Sequence, residues 1–115
     1  MRQPLPARRP ALTTATQWQG HEITVTTSFY PDTGLVGEVF ADTTKGGQIA
    51  ECLADAAVLA SIALQHGVAP GDLAKSLGQV PNLLYRPDDP DSLQPQFQPA
   101  SPVGAMMDVV RRGAE

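Results

Sequence analysis

The residues able to bind or react are few in this chain, and their spacing narrows the chemistry quickly. Thr44-Lys45-Gly46-Gly47 stands between a strand-like segment and the start of a helical pattern. Free backbone N–H groups at a helix N-terminus, with a lysine beside them, can hold a phosphate or a carboxylate. Lys45, Gly46 and Gly47 are therefore the candidate anion-binding residues, with a nucleotide as one possible ligand. The spacing is not that of a P-loop, which needs a longer glycine loop closed by a Lys-Ser/Thr pair. The two glycines serve equally as a plain turn into the helix.

Cys52 falls mid-helix on the apolar side, where a thiol behaves as a small, inert hydrophobe. His66 falls in the last turn of the same helix, where an imidazole suits the negative end of the dipole. His21 opens a strand and is expected at the surface. Glu51 and Asp55, four apart on one helix face, have the spacing to share a metal or a proton. Di-metal helical sites also draw histidines and further carboxylates from other helices, and the sequence supplies none. Asp88, Asp89 and Asp91 lie among prolines without the alternation and closing glutamate of a calcium loop. Trp18, Phe29, Tyr30 and Phe40 fall at strand positions and are expected in the core rather than as a stacking platform. The expectation is no catalytic residues, no metal and no cofactor, because no nucleophile–base–orienter set is present.

Bulk properties point the same way. The chain has 115 residues, eight Lys and Arg against twelve Asp and Glu, and a net charge of −4. An acidic chain is poorly suited to neutralising the phosphates of nucleic acid. One cysteine forms no internal disulfide. No uninterrupted apolar run reaches the roughly 18 residues of a membrane span, and the first ten residues lack the apolar core of a signal peptide. The expectation is one small cytoplasmic domain without a membrane partner.

The elements that must position these residues follow from periodicity. Three prolines lie in the first ten residues and six between Pro81 and Pro102. Proline removes a backbone donor and fixes φ, so residues 1–16 are expected as a flexible arm and residues 81–100 as a proline-rich connection. Residues 17–115 make up the single domain. Ile23, Val25 and Thr27 alternate with Glu22, Thr24 and Thr26, which predicts a half-buried strand. Pro31-Asp32-Thr33-Gly34 is a turn, and residues 35–43 return as a second strand. Over residues 48–66, Ile49, Cys52, Leu53, Ala56, Leu59, Ala60 and Ala63 recur at helical spacing. Val58 and Ile62 widen that apolar surface beyond one stripe, and six alanines permit close approach. So little chain remains to cover a second face that Val58 and Ile62 are the candidate homodimer interface. Gly67 ends the helix. A short helix over residues 70–77 begins at Pro70. A closing helix over residues 102–112 is capped by Ser101, with Val103, Met106, Met107 and Val110 inward. The fold class is α+β: a small antiparallel hairpin or sheet packed on a long Ala-rich helix, then a short helix and a C-terminal helix.

These residues resemble a known family. Gly37-Glu38-Val39-Phe40, Lys45-Gly46-Gly47, Asp55, the run Ser61-Ile62-Ala63-Leu64-Gln65-His66-Gly67, the helix from Pro70, and Ser101-Pro102-Val103-Gly104 through Met107-Asp108 are similar to the TSCPD domain. That domain is found at the C-terminus of vitamin B12-dependent ribonucleotide reductases and in short ribonucleotide reductase-like bacterial proteins. The resemblance covers residues 20–80 and 100–112. It implies two family cysteines, at the slots held here by Val80 and Ser101, so a metal or disulfide built on them is not expected in this chain. It implies no reductase barrel. The expected function is a non-catalytic accessory or interaction module, working with a ribonucleotide reductase or another nucleotide-handling protein. The alternative is a small anion or nucleotide binder built on the Lys45-Gly46-Gly47 turn.

Overall fold

A computed structural model describes residues 1–44, 46–89, 91 and 93–113. Three strands, β1 (Ala11–Trp18), β2 (His21–Phe29) and β3 (Val36–Thr43), form an antiparallel sheet in that order. They are followed by α1 (Gly47–Gln65), α2 (Pro70–Lys75), β4 (Gln79–Pro81), β5 (Phe97–Pro99) and α3 (Pro102–Gly113). β4 and β5 pair as a separate two-stranded ribbon. The α+β architecture of a small sheet on a long helix, then a short and a C-terminal helix, is the one the periodicity predicts.

The β2–β3 hairpin turns where Pro31 and Gly34 place it, with Gly34 at φ 75° and its N–H donating to Tyr30 O at 2.8 Å. The strand before it corrects the expected arm. Residues 11–18 form β1, paired with β2 from Ala11↔Ser28 to Trp18↔His21. The connection is two residues, Gln19 and Gly20, both at positive φ (45° and 80°). That backbone matches the twist of flanking strands in a two-residue hairpin. Glutamine is an unusual residue for the first of these positions, and it hid the turn. Residues before Ala11 are also anchored: Leu5 packs so closely over Gly37 that a Cβ there would meet Leu5 Cδ1 at 2.9 Å and Tyr30 Cε2 at 2.6 Å.

One core joins the layers. Ile23 and Val25 of β2, Val39 of β3, Leu53, Ala57 and Leu64 of α1, and Met106, Met107 and Val110 of α3 are buried together. Apart from the smaller Ala57, each such side chain contributes about 1.5–3 kcal/mol by leaving water. α3 begins as its sequence requires: Pro102 occupies the first helical position and Ser101 Oγ accepts the Gly104 N–H at 3.1 Å. Its buried residues include Met106, Met107 and Val110, with Val103 half-buried against them. α2 starts at Pro70 and ends at Lys75, two residues earlier than predicted, while Leu73 and Leu77 still pack on the core.

The connection expected over residues 81–100 is ordered at both ends. β4 and β5 pair Val80 with Gln98, and Asn82, itself buried, closes the next step. Asn82 Nδ2 donates to Gln94 Oε1 at 3.1 Å and to Pro95 O at 2.9 Å, and Asn82 Oδ1 accepts the Leu84 N–H at 3.0 Å. Prolines are tolerated because a two-stranded ribbon has two open edges. By length and composition alone, α1 would also suffice to cross a membrane. Here it lies along β3, with Leu53, Ala57, Ala60, Ser61, Leu64 and Gln65 buried.

Candidate functional site

α1 carries most of the predicted site residues. Its first turn starts from Gly46 (φ 62°) and Gly47 (φ 76°), with no side-chain cap and no acidic residue in the first turn. Gly46 combines φ 62° with ψ −151°, a region essentially open only to glycine, so the pair makes the turn the sequence implied. Lys45 lies outside the described residues. Thr43, three residues before Gly46, has its Oγ1 buried without a hydrogen-bond partner.

The outer surface of α1 differs from prediction in composition. Cys52 is exposed rather than packed, because the buried stripe runs through Leu53, Ala57, Ala60 and Leu64 and turns residue 52 outward. Leu59, read as part of the inner stripe, is 70% exposed, and Val58 is 58% exposed. Ile62 is half-buried beside them. Glu51 and Asp55 occupy the same outer face nearer the N-terminus and are exposed. Among the described residues, no three His, Cys, Asp or Glu side chains come together. His66 is exposed at the C-cap, where the backbone does the capping: its N–H donates to Ile62 O and Ala63 O at 3.1 Å, and Gly67 takes φ 97°. His21 is half-buried, not a free surface residue, because its ring stacks on Trp18 with centroids 6.2 Å apart and its Nδ1 is buried without a partner. Phe40 is 56% exposed on the outer sheet face, which corrects its placement in the core; alternation along β3 sends Val39 inward and its neighbour out. Trp18, Phe29 and Tyr30 are half-buried. Asp88 and Asp89 are exposed between β4 and β5, as is Asp91.

Two residues that sequence reasoning treated only as part of a motif turn out to organise the fold. Ser61 and Gln65, one turn apart on α1, face the outer edge of β3. Ser61 Oγ accepts the Val39 N–H at 2.9 Å, and lies 2.7 Å from Ala57 O and 3.2 Å from Val39 O for its own proton. Gln65 Nε2 donates to Gly37 O at 3.0 Å, and Gln65 Oε1 accepts from Arg2 Nε at 2.6 Å. The Gln65 carbonyl also accepts the Gln3 N–H at 2.9 Å. The signal available was two polar residues within an otherwise apolar helical run. Past them, a cavity of about 450 Å³ opens between Tyr30, Leu35, Leu64, His66, Val68 and Met1.

A second cavity, of about 320 Å³, lies between α2, the β4–β5 ribbon and α3. Lys75, Arg111, Arg112 and Asp108 line it with Phe97, Pro95 and Pro99. The two slots where the resemblance implies cysteines lie at this end: Val80 pairs in β4 and Ser101 caps α3.

The TSCPD domain family model matches residues 2–107. Vitamin B12-dependent ribonucleotide reductases from Streptantibioticus cattleyicolor and from Streptomyces clavuligerus are each 36% identical over 96 residues, covering 79% of this chain. The same enzyme from Streptomyces avermitilis matches equally. The chain spans only 15% of the first of these proteins and 10% of the other two. No solved structure matches the chain. A family model matched over nearly the whole chain, together with relatives at 36% identity over 79% of it, leaves one assignment: the chain belongs to the TSCPD domain family.

Proposed function

We propose that this domain is a non-catalytic accessory module that associates through the outer face of α1. Its partner is a nucleotide-handling protein, a ribonucleotide reductase by the name its relatives carry, and the domain itself is a cytoplasmic homodimer. The observation that carries the reading is the pair Val58 and Leu59, exposed on the longest helix beside Ile62. Exposed aliphatic side chains that are contiguous on one helix face, unlike ones scattered singly, are the kind of patch that serves association. Glu51 and Asp55 lie N-terminal to Val58, Leu59 and Ile62 on that face, which gives it a polar end and an apolar end.

The test uses Leu59→Asp, which alters an exposed residue and leaves the core intact. Light scattering of the unaltered chain is expected to give twice the chain mass, and Leu59→Asp to give the monomer. Titration against a purified vitamin B12-dependent ribonucleotide reductase is expected to show binding that Leu59→Asp abolishes. A monomeric unaltered chain that also ignores the reductase would overturn the reading. So would formation of deoxyribonucleotides by this chain alone.

A second reading has one specific observation in its favour. The uncapped start of α1 at Gly46 and Gly47 has a buried, unpartnered hydroxyl, Thr43 Oγ1, three residues before Gly46. A small anion held there by backbone N–H groups and Lys45 satisfies the orphan donors of the first turn. Phosphate binding lost in Lys45→Ala supports it; unaltered affinity in that variant sinks it.

A further inference from the structure

A sheet edge presents unpaired backbone groups, and folds blunt such edges with a cover, with short strands, with proline or with charge. The edge of β3 is covered by α1. The β4–β5 ribbon has three-residue strands, each ending in proline, Pro81 and Pro99. The free edge of β1 carries none of these devices. It is eight residues long, Ala11–Trp18, without a charged residue, a proline or a break in its register with β2. Among the described residues no strand lies beyond it. The residues before it are held on the β3 side instead: Arg9 pairs with Glu38, and Gln3 is bonded to Gln65 and Tyr30.

The phase of the β1–β2 ladder decides which groups that edge offers. Phe29 N–H donates to Pro10 O at 2.9 Å, one step beyond the Ala11↔Ser28 pair. Bonded and non-bonded pairs alternate along an antiparallel ladder, so Leu12, Thr14, Thr16 and Trp18 turn their backbone groups to β2. Ala11, Thr13, Ala15 and Gln17 turn theirs outward, and all four are exposed. Their N–H and C=O groups stand in a row that repeats roughly every 6.8 Å. An extended backbone meets such a row at every step. The side chains sort by the same alternation. Thr13 bonds Thr26 on the open face of the sheet, and Ala11, Ala15 and Gln17 share that face. Leu12, Thr14 and Thr16 lie on the other face. There Leu12 is 50% exposed beside the end of α3, where a Cβ on Gly113 would lie 4.0 Å from Leu12 Cδ2.

A second copy of this chain fits the row poorly. Antiparallel pairing of two β1 edges that bonds all the outward residues sets Ala11 against Gln17, Thr13 against Ala15, and Leu12 against Thr16. The leucine then faces a polar residue. Sliding the strands until Leu12 meets Leu12 leaves only Ala11 and Thr13 of β1 bonded. Cross-strand pairing of apolar with apolar side chains and full use of the backbone row are satisfied together only by a segment of different sequence. That segment carries an apolar residue opposite Leu12.

We propose that the β1 edge receives an extended segment of another protein as a fourth, antiparallel strand, apolar on the side of Leu12 and small and polar on the side of Thr13. The inference does not rest on association through α1, which lies along β3 at the far edge of the sheet.

The probe is a blocked peptide in which four threonines alternate with three valines between terminal lysines, with the valine amides N-methylated. Its threonine N–H and C=O groups face β1 when its valines face Leu12, and the methyl groups stop further strands from adding. Amide hydrogen exchange of the full chain, followed by NMR, reads the edge residue by residue. In the free chain Thr14 and Thr16 are expected to be protected, and Thr13, Ala15 and Gln17 to exchange freely. Peptide at ten times its dissociation constant is expected to slow exchange at Thr13, Ala15 and Gln17 about tenfold, with Thr14 and Thr16 unchanged. The isomer methylated on its threonines offers free donors only with its valines turned away from Leu12. It is expected to bind at least about tenfold more weakly. Leu12→Thr alters an exposed side chain and is expected to weaken the valine-methylated peptide about fivefold through lost apolar contact. The proposal is overturned if neither peptide changes exchange at the outward amides, if the two isomers bind alike, or if Leu12→Thr binds as the unaltered chain does. It is also overturned if the outward amides are already protected in the free chain; protection that grows with chain concentration would make a second copy the occupant.

Discussion

The two edges of the three-stranded sheet meet opposite fates. The outer edge of β3 is buried under α1, and its polar groups are satisfied by side chains: Val39 by Ser61, Gly37 by Gln65. Among the described residues the outer edge of β1 has no strand beside it, and most of β1 is exposed, with Thr and Ala as its commonest residues. A buried backbone donor left unpaired costs about 1–3 kcal/mol, whereas one facing water costs little. The two edges therefore need different sequences. The covered edge requires specific polar residues on an apolar helix. The open edge requires only a strand with few large apolar side chains. The difference assigns a structural task to the Ser61–Gly67 run: it is where the helix, the sheet edge and the N-terminal residues are fastened together.

Removing the Ser61 hydroxyl is the strongest way to break this contrast. Ser61 is 7% exposed and Val39 1%, so Ser61→Ala leaves the Val39 N–H without a partner where water does not reach. The expected loss is about 2 kcal/mol, measured as a fall in the urea midpoint at constant m. Truncating its neighbour, Gln65→Ala, is expected to cost about 1–2 kcal/mol, because Gly37 O and the Arg2 guanidinium lose their partner at the less enclosed end of the same edge. The same variant should speed proteolysis near Arg2, since the Gln65 side chain is one of the anchors of that segment. Unchanged cleavage would mean that Leu5 over Gly37 and the Gln3 N–H on the Gln65 carbonyl suffice to hold it.

A milder test separates side-chain fastening from simple charge pairing. Arg9 Nη2 lies 2.7 Å from Glu38 Oε1, with both side chains partly exposed. Arg9→Ala is expected to cost less than about 1 kcal/mol, and that cost should shrink as salt is added. A larger, salt-independent loss would make this pair a fourth anchor equal to those at Gln65.

What was legible in the sequence follows the same division. The β2–β3 hairpin, α1 and α3 announce themselves because each has a periodic apolar face and a turn or cap residue with a known geometry: Pro31 and Gly34, Gly67, Ser101 and Pro102. β1 was hidden because its residues are mostly small and polar, as an open edge demands, and because its turn uses Gln19 where asparagine or aspartate is the usual sign. Cys52, Leu59 and Phe40 were placed on the wrong side for a different reason. Helical and strand periods identify a face, but which of two adjacent apolar stripes is covered depends on where the partner element lies, and a sheet edge rather than a sheet face sets that for α1. Ser61 and Gln65 read as tolerated polar residues until their partners on β3 are known. The cavity beside α2 and α3 joins residues from positions 74 to 112 across the ribbon pairing, a juxtaposition that proline-rich sequence does not encode locally.

The sharpest comparison deletes the same chemical group at both edges. Thr13 on β1 and Thr26 on β2 face each other across the exposed side of the sheet, with their hydroxyls 3.0 Å apart. Thr13→Val removes one hydroxyl, as Ser61→Ala does, and keeps the β-branched shape that suits a strand. Its partner, Thr26, remains within reach of water, so no group is left stranded. The expected change is within about 0.5 kcal/mol of zero, against the loss of about 2 kcal/mol at Ser61. Both are read from denaturant midpoints of the full chain under one set of conditions. If Thr13→Val costs as much as Ser61→Ala, hydroxyl bonds across the open side hold this sheet as firmly as the covered edge, and the contrast between the edges fails. If the two differ as expected, the value of a hydrogen bond in this domain is set by its access to water and not by its length, since the Thr13–Thr26 and Ser61–Val39 bonds are equal to within 0.1 Å.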